Sequence, residues 1–321
     1  MTKTCLLITE RFEPTADVLV AEMRRRGMPC VRWNLDQYPI GSALTCLASD
    51  ECFTACIDTD GRRVDLEGVG SVWWRGLQPS DFPYELRDRD RKFAETQARR
   101  VIASLTTIGD FVWINHPLRH VRANCKPAQL CMARRVGLTI PKTVITNDPS
   151  EARSFIAQLN GPAIYKSLSQ NLDVAVGKSL FTGLLTEKEL ANLHLIQLTP
   201  GVFQELVPKA YEVRATVVGR RIFTARIDSQ AKAETKIDWR HRPFDIDHHP
   251  ISLPPELELK ILAFTEAFGL VFGAFDFIVT PDGRHVFLEV NPAGQYMWIE
   301  SITGHAITAA LADALSAPCQ P

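Results

Sequence analysis

Val271-Phe272-Gly273-Ala274-Phe275-Asp276-Phe277-Ile278-Val279-Thr280, then Pro281-Asp282-Gly283-Arg284, then His285-Val286-Phe287-Leu288-Glu289-Val290-Asn291-Pro292 is the stretch that decides the reading. Asp282-Gly283 between two apolar runs is a hairpin signal. With a loop of two or four residues, the antiparallel register sets Asp276 directly opposite Glu289. Asn291 lies two residues on and shares their face, because strand side chains alternate. Facing carboxylates repel, and both sit in runs that read as buried strands, where unpaired charge is costly. A bound cation resolves that conflict, and an all-oxygen set of Asp, Glu and Asn suits Mg²⁺ completed by phosphate oxygens and water. On the hairpin alone two other readings stay open: an Arg partner for one carboxylate, or a slipped register that turns one of them to solvent.

Outward from the hairpin, the 321 residues divide into three blocks. Residues 1–115 open with a strand at Cys5–Thr9, a helix over 16–26 stopped by Gly27, and a strand at Cys30–Trp33. That βαβ pattern implies parallel strands. Short strands are expected at 43–48, 53–58 and 71–74, with a turn at Asp60-Gly61 and a charged helix over 84–105. No glycine-rich phosphate loop follows the first strand, so the dinucleotide-binding fingerprint is missing. Residues 116–200 read as a helix over 123–136, a strand over 141–146, a helix over 151–159, a strand over 163–166 and a polar loop over 167–178. Residues 201–321 contain strands at 202–206, 211–218, 221–229, 271–279 and 285–291, and helices at 255–268 and 303–316.

Charge and composition narrow the function classes. Lys and Arg total 36 against 37 Asp and Glu, which removes the basic footprint of a nucleic-acid or membrane-surface binder. No uncharged apolar stretch approaches the roughly 18 residues of a membrane span. Eight Cys without a Cys-x-x-Cys pair, and a first apolar run too short for a signal-peptide core, point to a cytoplasmic protein with reduced thiols. Cys52 and Cys56 read as strand residues. The histidines 241, 248 and 249 read as loop residues in solvent.

Phe287-Leu288-Glu289-Val290-Asn291-Pro292, with Asp276 thirteen residues before Glu289, resembles the metal-binding end of the ATP-grasp ligases. Its extension through Ala293-Gly294-Gln295-Tyr296-Met297-Trp298-Ile299-Glu300 is similar to the graspetide, or microviridin-type, peptide maturases. Further matches follow in order: Ser71-Val72-Trp73-Trp74-Arg75, Ile114-Asn115-His116-Pro117, Asn124-Cys125-Lys126-Pro127-Ala128-Gln129-Leu130, Ile164-Tyr165-Lys166-Ser167, Phe203-Gln204-Glu205-Leu206-Val207-Pro208-Lys209, Glu212-Val213-Arg214, Ile227-Asp228-Ser229-Gln230 and Asp238-Trp239-Arg240. Each alone is a weak pattern; their order along nearly the whole chain carries the resemblance. Ala293 stands where relatives often have Asn or Ser, and Tyr296 where Trp is common; neither touches the metal set, and both bear on substrate preference.

The resemblance implies an ATP-grasp fold, α/β and α+β, with an N-terminal pre-ATP-grasp domain (1–115), a central lid, substrate and leader-binding domain (116–200) and a C-terminal Mg-binding domain (201–321). It implies ATP and Mg²⁺ as cofactors. Mg²⁺ falls to Asp276, Glu289 and Asn291, the phosphates to Lys126 and Lys166, the adenine edge to backbone groups of Glu205 to Val207, and the ribose or Lys209 to Glu212. Arg214 points toward the transferred phosphate and Arg240 holds substrate carboxylates, with Arg75 and Arg226 as weaker candidates. Phosphoryl transfer needs positioning and charge neutralisation rather than covalent help, and these residue types supply both. The loop from Ser167 to Gly177 is expected to act as a lid, and the leader to bind near 170–200. The implied partner is a ribosomally made precursor peptide, whose Asp or Glu side chains would be joined to Ser, Thr or Lys; a homodimer stays open. The alternatives are a ligase adding a free amino acid to a peptide or small carboxylate, and a nucleotide-binding regulator that has lost catalysis.

Overall fold

The computed structural model describes residues 3–76, 81–168, 182–242 and 245–316. β1 (Thr4–Thr9), α1 (Pro14–Arg25), β2 (Cys30–Asn34), β6 (Val69–Trp74), α2 (Asp88–Ile108) and β7 (Val112–Ile114) build a parallel sheet in the order β2-β1-β6-β7. Between β2 and β6 the chain makes a separate antiparallel sheet of β3 (Ala43–Ala48), β4 (Phe53–Thr59) and β5 (Arg62–Asp65). Its turn is Asp60-Gly61, with φ of 48° and 70°, the left-handed pair that a tight hairpin requires and that Asp-Gly tolerates.

The helix expected over 123–136 is α4 (Lys126–Arg135), which starts three residues late, and a separate α3 (Pro117–Ala123), not expected, precedes it. Pro127 has no amide hydrogen and disfavours helical backbone before it, so it starts a helix and does not continue one. Lys126 is thereby set on the first turn of α4. At the other end, the helix expected over 303–316 is α9 (Ile307–Ser316), and a separate α8 (Met297–Thr303), not expected, precedes it and stops at Gly304. α7 (Pro255–Phe268) falls on the expected residues.

The central sheet runs in the order β10-β9-β11-β8, from β8 (Thr143–Thr146), β9 (Ala163–Lys166), β10 (Gly183–Leu184) and β11 (Gly201–Glu205). A division at residue 200 cuts off β11, whose pairing with both β8 and β9 makes it part of this sheet. α5 (Pro149–Ala157) covers it, and the buried set there is small: Ala152, Leu193, Ile196 and Phe203. Residues 169–181 lie outside the described residues, and with them most of the expected lid loop and part of the expected leader region.

The third sheet, β14-β13-β12-β15-β16, is antiparallel throughout. It comprises β12 (Tyr211–Val218), β13 (Arg221–Ile227), β14 (His248–Pro250), β15 (Phe272–Val279) and β16 (His285–Asn291). One face buries Val213, Ala215, Phe275, Phe277 and Phe287 against Ile261, Phe264 and Phe268 of α7. The valine, isoleucine and phenylalanine side chains among these each contribute roughly 1.5–3 kcal/mol of burial, so the hairpin that carries Asp276 and Glu289 stands on a stiff floor. α9 buries Ile307, Leu311 and Leu315 with Leu7, Leu19 and Trp73, which joins the first sheet to the third.

Candidate active site

Asp276 pairs with Glu289, and Ala274 with Asn291, so the expected face is built. The route differs from the one the turn signal suggests. At the turn, Val279 pairs with His285, which leaves an odd loop of residues 280–284; the register then shifts between Asp276 and Phe277, where Leu288 is the extra residue on β16. The bulge returns Glu289 to the position opposite Asp276 and leaves Leu288 lining the cleft,.

The two carboxylates are half-buried and each already holds a cation. Arg214 Nη1 donates to both Asp276 oxygens, at 2.7 and 2.6 Å, and Lys126 Nζ donates to Glu289. The Asn291 amide lies 3.3 Å from Asp276 and 3.4 Å from Glu289, linking them. The charge conflict on the hairpin is therefore met inside the protein by an arginine and a lysine, so repulsion alone does not require a metal. No group of three or more His, Cys, Asp or Glu able to hold a metal occurs among the described residues. The set is two carboxylates and one amide, all able to present hard oxygen, and it fits Mg²⁺ with phosphate and water as the other donors.

A cleft of about 510 Å³ opens over this face. Ile164, Lys166, Gln204 and the Glu205–Val207 segment line it from the central sheet; Glu212, Arg214, Asp276 and Glu289 line it from the third. Lys166 donates to Gln204 at 2.9 Å. Burial pushes Lys166 down to about 8, with Glu212 opposing the fall. Burial and the neighbouring Lys166 push Lys126 down to about 8 as well. Glu212 is raised by burial, although it accepts from Lys209 at 2.6 Å. Glu205 Oε1 accepts from the Lys142 amide at 2.8 Å, and the Glu205 and Leu206 amides donate to Lys142 and Pro162. The Val207 amide has no hydrogen-bond partner among the described residues. That open donor is what a backbone-read base edge needs.

Arg240 is clasped by Asp238 through Nε to Oδ1 at 2.8 Å and Nη2 to Oδ2 at 2.6 Å. Burial works against the Asp238 charge, yet Arg240 and the Thr182 amide hold its carboxyl down to about 2. Trp239 and Trp298 meet at 5.1 Å between ring centroids, and both line the cleft beside Arg240. His248 is a correction: it is buried, in β14, with its ring 5.1 Å from Trp298. Tyr296 is another, since it is fully buried and its hydroxyl accepts from Thr308; it packs the core, whereas Ala293 lines the cleft. Arg226 lies over Tyr211 and bonds Asp228 at 2.6 Å, and it does not line the cleft.

Sequence reasoning missed the residues that hold the hairpin in place. Gln129, on α4 with Lys126, accepts from the Val290 amide at 3.0 Å and donates to the Val290 carbonyl at 2.9 Å. It thereby fixes the backbone between Glu289 and Asn291. Asn115 bonds four backbone groups around the start of β15 and the end of β16. Both stand inside motifs quoted for the resemblance, where an uncharged amide gives no signal of its own. Gly294 makes a third support: a Cβ there would meet the Ala274 Cβ at 2.6 Å and the Asn291 Cβ at 3.2 Å. Gly294→Ala is expected to cost about 1–3 kcal/mol in urea unfolding and to lower activity further than that loss explains, because Asn291 must shift.

Residues 4–121 match the family model described as the MvdD pre-ATP grasp domain. Among solved structures, the macrocyclase MdnC bound with precursor peptide MdnA, from Microcystis aeruginosa MRC, is 30% identical at a TM-score of 0.88, covering 97% of this chain and 99% of that one. A Chryseobacterium gregarium RiPP-associated ATP-grasp ligase, in complex with ADP and a leader and core peptide, is 27% identical at 0.88, covering 99% of each chain. A probable alpha-L-glutamate ligase of Mannheimia succiniciproducens is 24% identical over 231 residues, 69% of this chain and 75% of that protein.

Proposed function

This chain belongs to the RiPP-associated ATP-grasp ligases, the family of the peptide macrocyclases, and from that premise we propose that it closes rings in a ribosomally made precursor peptide. An Asp or Glu side-chain carboxylate of the peptide attacks the γ-phosphorus of ATP, the bond to the β-phosphate oxygen breaks, and ADP leaves an acyl phosphate. A Ser or Thr hydroxyl or a Lys amine then attacks the acyl carbon, loses its proton and expels phosphate, giving a macrocyclic ester or amide. The observation that carries this reading is the face of Asp276, Glu289 and Asn291 under a cleft lined by Lys126, Lys166 and Arg214.

Asp276, Glu289 and Asn291 would hold Mg²⁺, which when bound supplies charge neutralisation for the phosphates. Lys126 and Arg214, now paired with Glu289 and Asp276, would turn to phosphate oxygens as those carboxylates take the metal. Lys166 sits on the central sheet and meets the phosphates from the other wall. Val207 offers its amide, and Glu205 its backbone, to the adenine edge between Ile164 and Leu206, with Glu212 at the ribose. The half-buried cleft limits water, which matters because an acyl phosphate hydrolyses. No helix among the described residues is long and apolar enough to cross a membrane, and we place the ligase in the cytoplasm, where ATP and the nascent peptide meet.

Mass spectrometry of a precursor encoded beside the gene, co-expressed with the protein, tests the reading. Loss of one water per bond supports ring closure; a gain of one amino-acid residue would instead support the free-amino-acid ligase. Protonation gives an independent check. Lys166 titrates near 8 in the free protein, below its ordinary value, so the cost of burying its ammonium is present at low pH and relieved as pH rises through about 8. Phosphates stabilise the ammonium and raise its pKa, so ADP binding at pH 9 should take up a proton. Calorimetry in buffers of different ionisation heat should show that uptake falling by up to about one proton in Lys166→Met.

A further inference from the structure

Cations around the cleft differ in what already neutralises them. Lys126 has Glu289, Lys209 has Glu212, Arg214 has Asp276 and Arg240 has Asp238. Lys166, at the nucleotide wall, leans on a neutral amide. Arg75 is a different case. It is 7% exposed and lines the cleft, its Nε has no hydrogen-bond partner, and its one carboxylate contact among the described residues is Glu13 at 3.5 Å. That length is beyond a good N–H to O bond. Glu13 also accepts from the Gln295 amide at 3.1 and 3.2 Å, so its charge is shared. The Trp73 ring, 4.9 Å from the Arg75 guanidinium carbon, supplies π attraction but no counter-charge. At the same end of the cleft the buried Nδ1 of His120 is also without a partner. Burial, with Arg75 beside it, holds His120 down to about 4, so the ring brings no charge to the arginine, and no hydrogen bond joins the two.

A buried donor without an acceptor is costly, and that cost is recovered when an acceptor arrives. The geometry points to Arg75 as the receptor for the reacting Asp or Glu carboxylate of the substrate peptide, in place of Arg240. The inference rests on the peptide-ligase reading and narrows it. Arg240 presents a fork that Asp238 fills in the bidentate manner a substrate carboxylate would use,. An incoming carboxylate there exchanges one anion for another and strips Asp238 of a partner. At Arg75 it satisfies a bond that nothing else makes. The amide isostere of the substrate would leave the guanidinium uncompensated, so discrimination at this end should be steep.

The probe is the precursor peptide that the mass-spectrometric test identifies, compared with a copy in which every core Asp and Glu is Asn or Gln. Equilibrium affinity in the presence of ADP and Mg²⁺ is the readout. The wild-type protein should prefer the acidic peptide by roughly 10- to 100-fold. Arg75→Gln should bring that ratio to within about threefold of unity, while Arg240→Gln keeps the preference. Because Arg75→Gln leaves Glu13 buried without a counter-charge, Glu13→Gln/Arg75→Gln is measured beside it, with the same collapse expected. Arg75→Lys, which restores the charge without the fork, should recover part of the ratio. A full ratio in Arg75→Gln or in Glu13→Gln/Arg75→Gln, or a collapse confined to Arg240→Gln, overturns the assignment to Arg75. A wild-type protein that does not bind the acidic precursor overturns the peptide-ligase reading and the inference with it.

Discussion

Asp276→Asn is expected to lower ATP-dependent ligation by roughly a thousandfold or more while cooperative unfolding is retained. The substitution keeps volume and leaves one oxygen to accept from Arg214, so the arginine held at 2.6 and 2.7 Å is not stranded. What it removes is one of the two formal charges that would balance a divalent ion. The remaining set is one carboxylate, Glu289, and two amides. Asn291 donates its amide to Asp276 and Glu289 at 3.3 and 3.4 Å, and an uncharged amide at 276 is a weaker acceptor for that bridge. ADP affinity separates this loss from a general defect. In the wild type Mg²⁺ should tighten ADP binding, and in Asp276→Asn the metal should add little. Turnover within tenfold of the wild type would refute the metal assignment.

The hairpin was legible because Asp-Gly turns and buried carboxylates are loud signals, but its geometry arrives by a path that side-chain patterns do not encode. An even loop predicts Asp276 opposite Glu289; the chain uses an odd loop and then inserts Leu288 to recover the same pairing. A bulge depends on the twist of the whole sheet, so nothing in the two strands alone announces it. The helix expected over 123–136 is present, but it starts at Lys126 for a local reason: Pro127 sets the first turn, and hydrophobic periodicity does not register that signal,. The partners of the site cations were not legible, because Lys126 with Glu289 and Arg240 with Asp238 depend on side-chain placement in three dimensions. Resemblance named Arg240 for the substrate; only the filled fork and the open Nε of Arg75 show how differently the two arginines are occupied.

Asn115→Leu is expected to lower stability by about 3–5 kcal/mol in urea unfolding, the largest loss anticipated for one uncharged side chain here. The Asn115 amide nitrogen donates to the carbonyls of Phe272 at 2.7 Å and Pro292 at 2.8 Å. Its oxygen accepts from the amides of Val271 at 2.7 Å and Phe272 at 2.9 Å. Leucine fills nearly the same volume but makes none of these bonds, so four backbone groups lose their partner together. Three of the bonds fall at the entry to β15 and one at the exit of β16, so the amide holds the two ends of the β15–β16 hairpin against the end of β7. Stability and activity should therefore separate by position. Leu259→Ala, on the exposed side of α7, should change neither by more than about 0.5 kcal/mol. Asn115→Leu should also lower ligation measured well below its unfolding midpoint, because Asp276 and Asn291 are carried on the strands that it releases. If ligation per folded molecule is unchanged in Asn115→Leu, the hairpin keeps its own geometry and the amide serves stability alone.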